Sequence, residues 1–187
     1  MSSTDDELRP WRVTATKQIV RDRWINLRAD TCVTAAGAEI TPYYVLQPDD
    51  WTHVIAVDAE QRAVMIRQYR HGIGREQLEL PGGIIDPSDA SPAAAAEREL
   101  LEETGYGCGP LIAAGTFSPN PATHANRVHV FVARDARPVQ APAREPGETM
   151  RNELLPLTEL EHCMLDGRLE SAIQIAAVVL ALAALKR

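Results

Sequence analysis

The sequence predicts an α/β fold, a mixed sheet between helices over residues 49–187, preceded by an antiparallel strand layer over 1–48. Short runs that alternate polar with apolar residues recur along most of the chain. One strongly capped helical segment interrupts them at 91–105, and helical composition returns near the end. The length of 187 residues, with 45% hydrophobic and 24% charged side chains, is that of an ordinary globular chain that can bury a core without disulfide or metal staples.

Each element follows from local chemistry. The runs TATKQIV, WINLRADTCVT and EITPYYVLQ form the first layer, with Ala35-Ala36-Gly37 as a turn. Pro48, Asp49 and Asp50 break the pattern and mark a domain boundary. HVIAVD and AVMIRQYR then read as a hairpin joined by Ala59-Glu60-Gln61. Ser91 and Pro92 supply an N-cap and a first-turn proline for AAAAERELLEET, and Gly105 closes that helix. LIAAGTF and RVHVFVARD return to strand, joined by the loop SPNPATHAN, and NELLPL adds a further strand. Helices are predicted near 158–166 and from 169 to the end. Within the last of these, the apolar stretch 172–185 is interrupted by Gln174 and falls short of the roughly 20 residues of a bilayer span, so a buried helix and no membrane partner are expected.

Charge and cysteine usage narrow the function. A net charge of -7 and a pI near 5.2 offer no broad basic face, so a nucleic-acid partner is not expected. Cys32, Cys108 and Cys163 lie far apart without a Cys-x-x-Cys pair and are expected to be reduced. The acidic start MSSTDDELRP lacks the basic end and apolar run of a secretory signal, and a cytoplasmic location is expected.

The capped helix carries the chemistry. At 100° per residue, Glu99, Glu102 and Glu103 fall within an arc of about 100°. Their repulsion calls for positive charge. Arg98 can satisfy one of them, and a hard divalent cation bound through oxygen, magnesium foremost, can satisfy the rest. Pro81-Gly82-Gly83 leads towards this helix through a glycine-rich turn, and Arg98-Glu99-Leu100-Leu101-Glu102-Glu103-Thr104-Gly105-Tyr106 completes the pattern.

This combination resembles the Nudix box, whose second half is matched in full. The first half departs from it. The spacing from Gly83 to Arg98 is one residue too long, so the family's first glutamate falls on Asp89 counted forward or on Ala90 counted backward. In the family that residue braces loop and helix, a role Asp89 can partly take over.

The resemblance implies a Nudix α/β/α sandwich and a Mg2+-dependent hydrolase, with Mn2+ as a possible substitute, that splits a nucleoside diphosphate linked to another moiety. It implies Glu99 and Glu103 as principal metal ligands, Glu102 as a second or water-mediated ligand, and the Gly82 carbonyl as a further one. Arg98 then has a structural role. One branch, the ADP-ribose and nucleotide-sugar pyrophosphatases, is similar over nearly the whole chain. Its signs are Asp22-Arg23-Trp24, Val64-Met65-Ile66-Arg67-Gln68-Tyr69-Arg70 and Leu78-Glu79-Leu80-Pro81-Gly82-Gly83. That branch implies a homodimer built through the N-terminal layer, and ADP-ribose ahead of GDP-mannose or a UDP-sugar as substrate.

Substrate contacts are assigned on the same footing to Arg67, Arg70, Glu79 and Trp24. The loop 118–127 is unlike that branch, and its Asn120 and Arg127 are assigned from their amide and guanidinium donors, which suit a sugar or phosphate but can also close turns by themselves. Trp24 and Trp51 each fit either base stacking or a core role. Arg67 fits either a phosphate grip or a strand face. A base that orients the attacking water is expected from the late loop, at Glu148 first and Glu145 second, with Glu102 as the remaining candidate. A domain that binds such ligands without splitting them is the competing expectation.

Overall fold

The computed structural model describes residues 9–144 and 147–187, and these form two compact units. The first comprises the chain up to Pro48 together with Ser118–Asn126, and the second comprises Asp49–Phe117 and Arg127–Arg187.

The first unit is a three-stranded antiparallel sheet of β1 (Arg12–Arg21), β2 (Asn26–Val33) and β3 (Glu39–Leu46), in that order. Its β1–β2 turn is set by Asp22, whose Oδ1 accepts the amides of Trp24 at 2.7 Å and Ile25 at 2.8 Å. The segment 118–126 docks on β3: Leu46 donates to the Thr123 carbonyl and accepts from Ala125, and the Tyr43 hydroxyl donates to the Ala122 carbonyl. Every residue of β1 is exposed, including Val13, Ile19 and Val20.

The second unit is a mixed sheet covered on both faces. Its strands are β4 (Trp51–Asp58), β5 (Arg62–Arg70), β6 (Arg75–Glu79), β7 (Gly82–Ile84), β8 (Tyr106–Gly107), β9 (Ile112–Phe117), β10 (Val128–Pro138) and β11 (Met150–Pro156). The order β11-β5-β4-β10-β8 is flanked by β6 on β5, β7 on β4 and β9 on β10, and β4 with β10 is the parallel pair. One face packs Val54, Ala56 and Val64 against Ala96 and Leu100 of α1 (Pro92–Thr104). The other packs Ile55, Val57 and Met65 against Leu160 and Cys163 of α2 (Leu157–Leu165) and Ala177, Val178 and Ala181 of α3 (Ala172–Leu185). The alternation along β4 and β5 thus feeds two cores from one sheet.

Three strands lie outside the sequence reading: β6, β7 and the two-residue β8. β6 was hidden by its polar composition, because Gln77 and Glu79 are buried polar residues. The glycine turn is corrected to a strand: Gly82 and Gly83 pair with His53 and Thr52 of β4 as β7. Gln174, the polar interruption of the apolar C-terminal helix, is buried and accepts the Leu80 amide at 2.8 Å. No helix among the described residues is long and apolar enough to cross a membrane.

The β4–β5 hairpin is held by Asp58, which is buried and accepts the amides of Glu60 and Arg62 and the Arg62 guanidinium, the last at 2.8 Å. Burial alone raises this carboxyl, yet the bonds from Arg62 and Glu60 outweigh it and hold it below its ordinary range. A depressed carboxylate contributes stability above its unfolded value and loses it as pH falls through the folded one. Asp58→Asn is therefore expected to cost about 1–3 kcal/mol at neutral pH. In pH-dependent denaturation, the gap between variant and wild type should close below about pH 4.

Candidate functional site

α1 begins at Ser91, whose hydroxyl accepts the Ala94 amide at 3.1 Å, and Pro92 fills the first turn. The helix delivers its acids at its C-terminal end, against β7. There the two glycines are needed for approach. Gly82 has φ of 152° and a side-chain carbon on it would lie 2.1 Å from the Thr52 carbonyl oxygen; one on Gly83 would lie 2.7 Å from Oε1 of Glu99. The Gly82 amide donates to Oε2 of Glu103 at 2.9 Å. Glu99 and Glu103 are thereby both laid against the β7 backbone.

Arg98 holds the other side. Its Nη1 donates to Glu99 at 2.8 Å and to Glu102 at 3.0 Å, while its Nε and Nη2 fork onto Asp89 at 3.0 Å and 2.9 Å. Asp89 also accepts the Asp86 amide at 2.8 Å, so this one carboxylate ties the loop before α1 to the helix. That is the brace expected of the family's first glutamate, made by a shorter acid set one residue out of step. Ala90, the other aligned position, has no such group.

Electrostatics separates the three helix acids. Burial pushes Glu103 up to about 8, against the pull of the Gly82 amide, and the charges of Glu99, Glu148 and Glu79 add to the rise. Glu99 is also raised, by burial first, with Arg98 opposing and Glu102 and Glu148 reinforcing. Glu102 is half-exposed and turned to Arg98.

Among the described residues, no three carboxylate, imidazole or thiolate groups converge closely enough to enclose an ion as they stand. The donors nevertheless fit a hard divalent cation. Buried Glu103 and largely buried Glu99 are costly to ionise, with the charge of Glu148 beside them, and among the described residues only Arg98 on Glu99 and the nearby charge of Arg70 offset these acids.

The remaining candidates are distributed unequally. Arg70 and Glu79 lie on the α1 face of the sheet and form a two-pronged ion pair, both prongs at 2.6 Å, with Glu79 buried and Arg70 48% exposed. Arg67 lies on the opposite face, after Met65, and forks onto Glu153 of β11 at 2.8 Å and 3.1 Å. Trp51 is partly buried and packs against the core on the α3 face. Trp24 in the first unit is 70% exposed, with the Arg23 guanidinium 4.0 Å over its ring. Asn120, also in the first unit, closes a turn by accepting the amides of Ala122, Thr123 and His124. Arg127 is exposed in the second unit, its amide donating to Asp50 at 2.7 Å. Glu145 lies outside the described residues.

Three participants were missed. His53 is buried beside Gly82, its Nδ1 has no hydrogen-bond partner among the described residues, and burial lowers its imidazole to about 4 with Arg70 assisting. Arg144 and Asn152 bond the end of α1. Nothing in a strand-like HVIAVD or a loop arginine singles these residues out, since their roles depend on partners about 30 to 50 positions away.

A NUDIX domain profile matches residues 49–175, and the profile of a nucleoside diphosphate sugar hydrolase N-terminal domain matches residues 11–46. The chain belongs to the Nudix family. Among its Nudix-like relatives is the ADP-ribose pyrophosphatase of Mycobacterium tuberculosis, 30% identical over 154 residues, or 82% of this chain and 74% of that one. The methanol dehydrogenase activator of Bacillus methanolicus is 29% identical over 119 residues, which span 64% of this chain and 63% of that one. A crystal structure of ADP compounds hydrolase superposes with a TM-score of 0.82 at 25% identity, covering 96% of each chain.

If Glu103 is held for a cation, replacing it should separate stability from function. A group whose folded value is raised contributes stability below its unfolded value and loses it as pH rises through the folded one. Metal-free Glu103→Gln, which cannot ionise, is therefore expected to melt above wild type, with the difference growing from about pH 4.5 to about 8. Added Mg2+ should stabilise wild type and not the variant, and turnover of the variant should be lower by orders of magnitude. Thermal denaturation with and without Mg2+ at several pH values checks this.

Proposed function

We propose that the protein is a Mg2+-dependent Nudix pyrophosphohydrolase that splits the diphosphate of a nucleoside diphosphate sugar, with ADP-ribose preferred and GDP-mannose or a UDP-sugar as alternatives. The observation that carries this is the mutually repelling pair of buried Glu103 and largely buried Glu99 laid on the Gly82-Gly83 backbone, with the charge of Glu148 adjacent. The names of the M. tuberculosis relative and of the solved structure favour an ADP-linked substrate over the alternatives.

A divalent cation, when bound, would neutralise the bridging diphosphate and lower the pKa of the attacking water. Glu99, Glu103 and the Gly82 carbonyl are the groups that would hold it, with Glu102 joining through water on release from Arg98. Glu148 orients the attacking water and receives its proton. Arg70 has donors left after its fork on Glu79, and these face the same side of the sheet as α1, where they can grip phosphate oxygens. Trp24, exposed and with its backbone amide bonded to Asp22 in the β1–β2 turn, is suited to stacking on a nucleobase. Cys32, Cys108 and Cys163 are free thiols, which fits the cytoplasmic setting of such a substrate.

The fully exposed β1, with its apolar residues, supports a homodimer joined through the first unit. Size-exclusion chromatography with light scattering at micromolar concentration is expected to give two copies, and a monomer defeats this part of the reading. Activity is tested with a panel of nucleotide sugars, ADP-ribose and dinucleotides, followed as phosphate after phosphatase treatment. ADP-ribose should give the largest kcat/KM. Thermal stabilisation by a ligand with no product from any of them would instead establish a binding domain. In the same assay Glu148→Gln should lower kcat far more than it changes KM, and Glu145→Gln should be mild. Equal, small losses would remove both from the mechanism and leave Glu102 as the base.

A further inference from the structure

The end of α1 is closed by groups from a distant part of the chain. A helix leaves its last four carbonyls without partners of its own. Here Leu101 accepts the Gly105 amide, Glu102 accepts the Ala143 amide at 2.8 Å, Glu103 accepts Nε of Arg144 at 2.7 Å, and Thr104 accepts Nδ2 of Asn152 at 2.7 Å. Three of the four partners thus lie on either side of Glu148. Arg144 does more than cap: its Nη1 donates to the Met150 carbonyl at 2.7 Å and its Nη2 to Oδ1 of Asn152 at 2.6 Å. Its planar fork therefore joins the last turn of α1 to the first residues of β11, and its charge sits at the negative end of the helix. Beyond Glu148 the chain is fixed again, where the Tyr69 amide donates to the Thr149 carbonyl and Met150 enters register with Gln68.

We propose that Arg144 is a positioning residue for the hydrolysis: by bonding the α1 terminus and the start of β11 at once, it sets where Glu148 stands relative to Glu99 and Glu103. The inference rests on Glu148 acting as base in the reading above. The carbonyl that Arg144 holds belongs to Glu103 itself, so the residue that fixes the base is anchored on a residue proposed to hold the cation. A flexible alternative would leave Glu148 sampling many positions, and a displacement of about 1 Å in a reacting group costs up to about 100-fold in rate. Lysine cannot replace it, since one ammonium does not reach three acceptors that lie in different directions.

A double-mutant cycle on the full chain, with amide hydrogen exchange read alongside, tests this. R144A is expected to lower kcat about 10- to 100-fold. KM and the Mg2+ Kd, the latter by calorimetry, should stay within about twofold. Exchange protection should fall at the amides of 147–150 and persist through α1. R144A/E148Q should be no slower than E148Q, because a misplaced base and an absent one are equivalent. R144K should match R144A in kcat, and it serves in its place if the alanine variant does not fold. Losses that add in the double variant, or a weakening of Mg2+ binding in parallel with kcat, would show that Arg144 merely stabilises α1 and would overturn the proposal. A slow E148Q beside an R144A of wild-type rate overturns this inference alone. An E148Q of wild-type rate overturns the base assignment and the inference together.

Discussion

Carboxylates on one helical face repel, and α1 presents three of them to a backbone that buries Glu103 and largely covers Glu99. Arg98 makes this tolerable. One guanidinium meets Glu99, Glu102 and Asp89 together, so the same cation that relieves the helix also fastens the preceding loop to it. The loop fixes the path of the chain into the helix, and the helix fixes Glu99 and Glu103 against β7. Without a charge at position 98 the helix acids would be pushed apart and the loop freed at once. The two functions are inseparable because they share one side chain.

The burial of Glu103 gives that arrangement its direction. A carboxyl raised to about 8 is an unfavourable feature for a fold and a useful one for a site. Among the described residues it accepts one backbone donor, from Gly82, while the charges of Glu99, Glu148 and Glu79 push it up and Arg70 stands near as a partial offset. Protonation or a nearby cation relieves that cost. Stability is thus given up locally on a unit whose two apolar cores, one on each sheet face, can bear the cost.

What the sequence makes legible follows from range. The capped helix, the Asp58 hairpin and the alternating strands depend on neighbours within a few residues, and all are readable as pattern. The acids of α1 are readable as well, because helical periodicity places them on one face. Arg67 and Arg70, three residues apart on one strand, point to opposite faces, so one ligand cannot engage both from one side. Glu79 and Gln77 were obscured for the converse reason. A polar side chain in a strand reads as exposed, and only a partner such as Arg70, brought by an antiparallel pairing, lets it be buried. At Asp89, where spacing alone supports only a partial substitute for the family's first glutamate, a shorter acid reaches Arg98 from a loop one residue longer.

Gln174 shows how composition can mislead in the other direction. It reads as a blemish in an otherwise apolar helix, and replacing it with leucine would make α3 more uniform and, by any hydropathy scale, a better core element. Yet its side-chain oxygen is the acceptor for the amide of Leu80, immediately before the backbone on which Glu99 and Glu103 rest. A hydrogen bond across the sheet thus ties the C-terminal helix to the chain that leads into the site. A selection that rewarded only a tighter core would erase that link, so at this position fitness for packing and fitness for chemistry favour different residues.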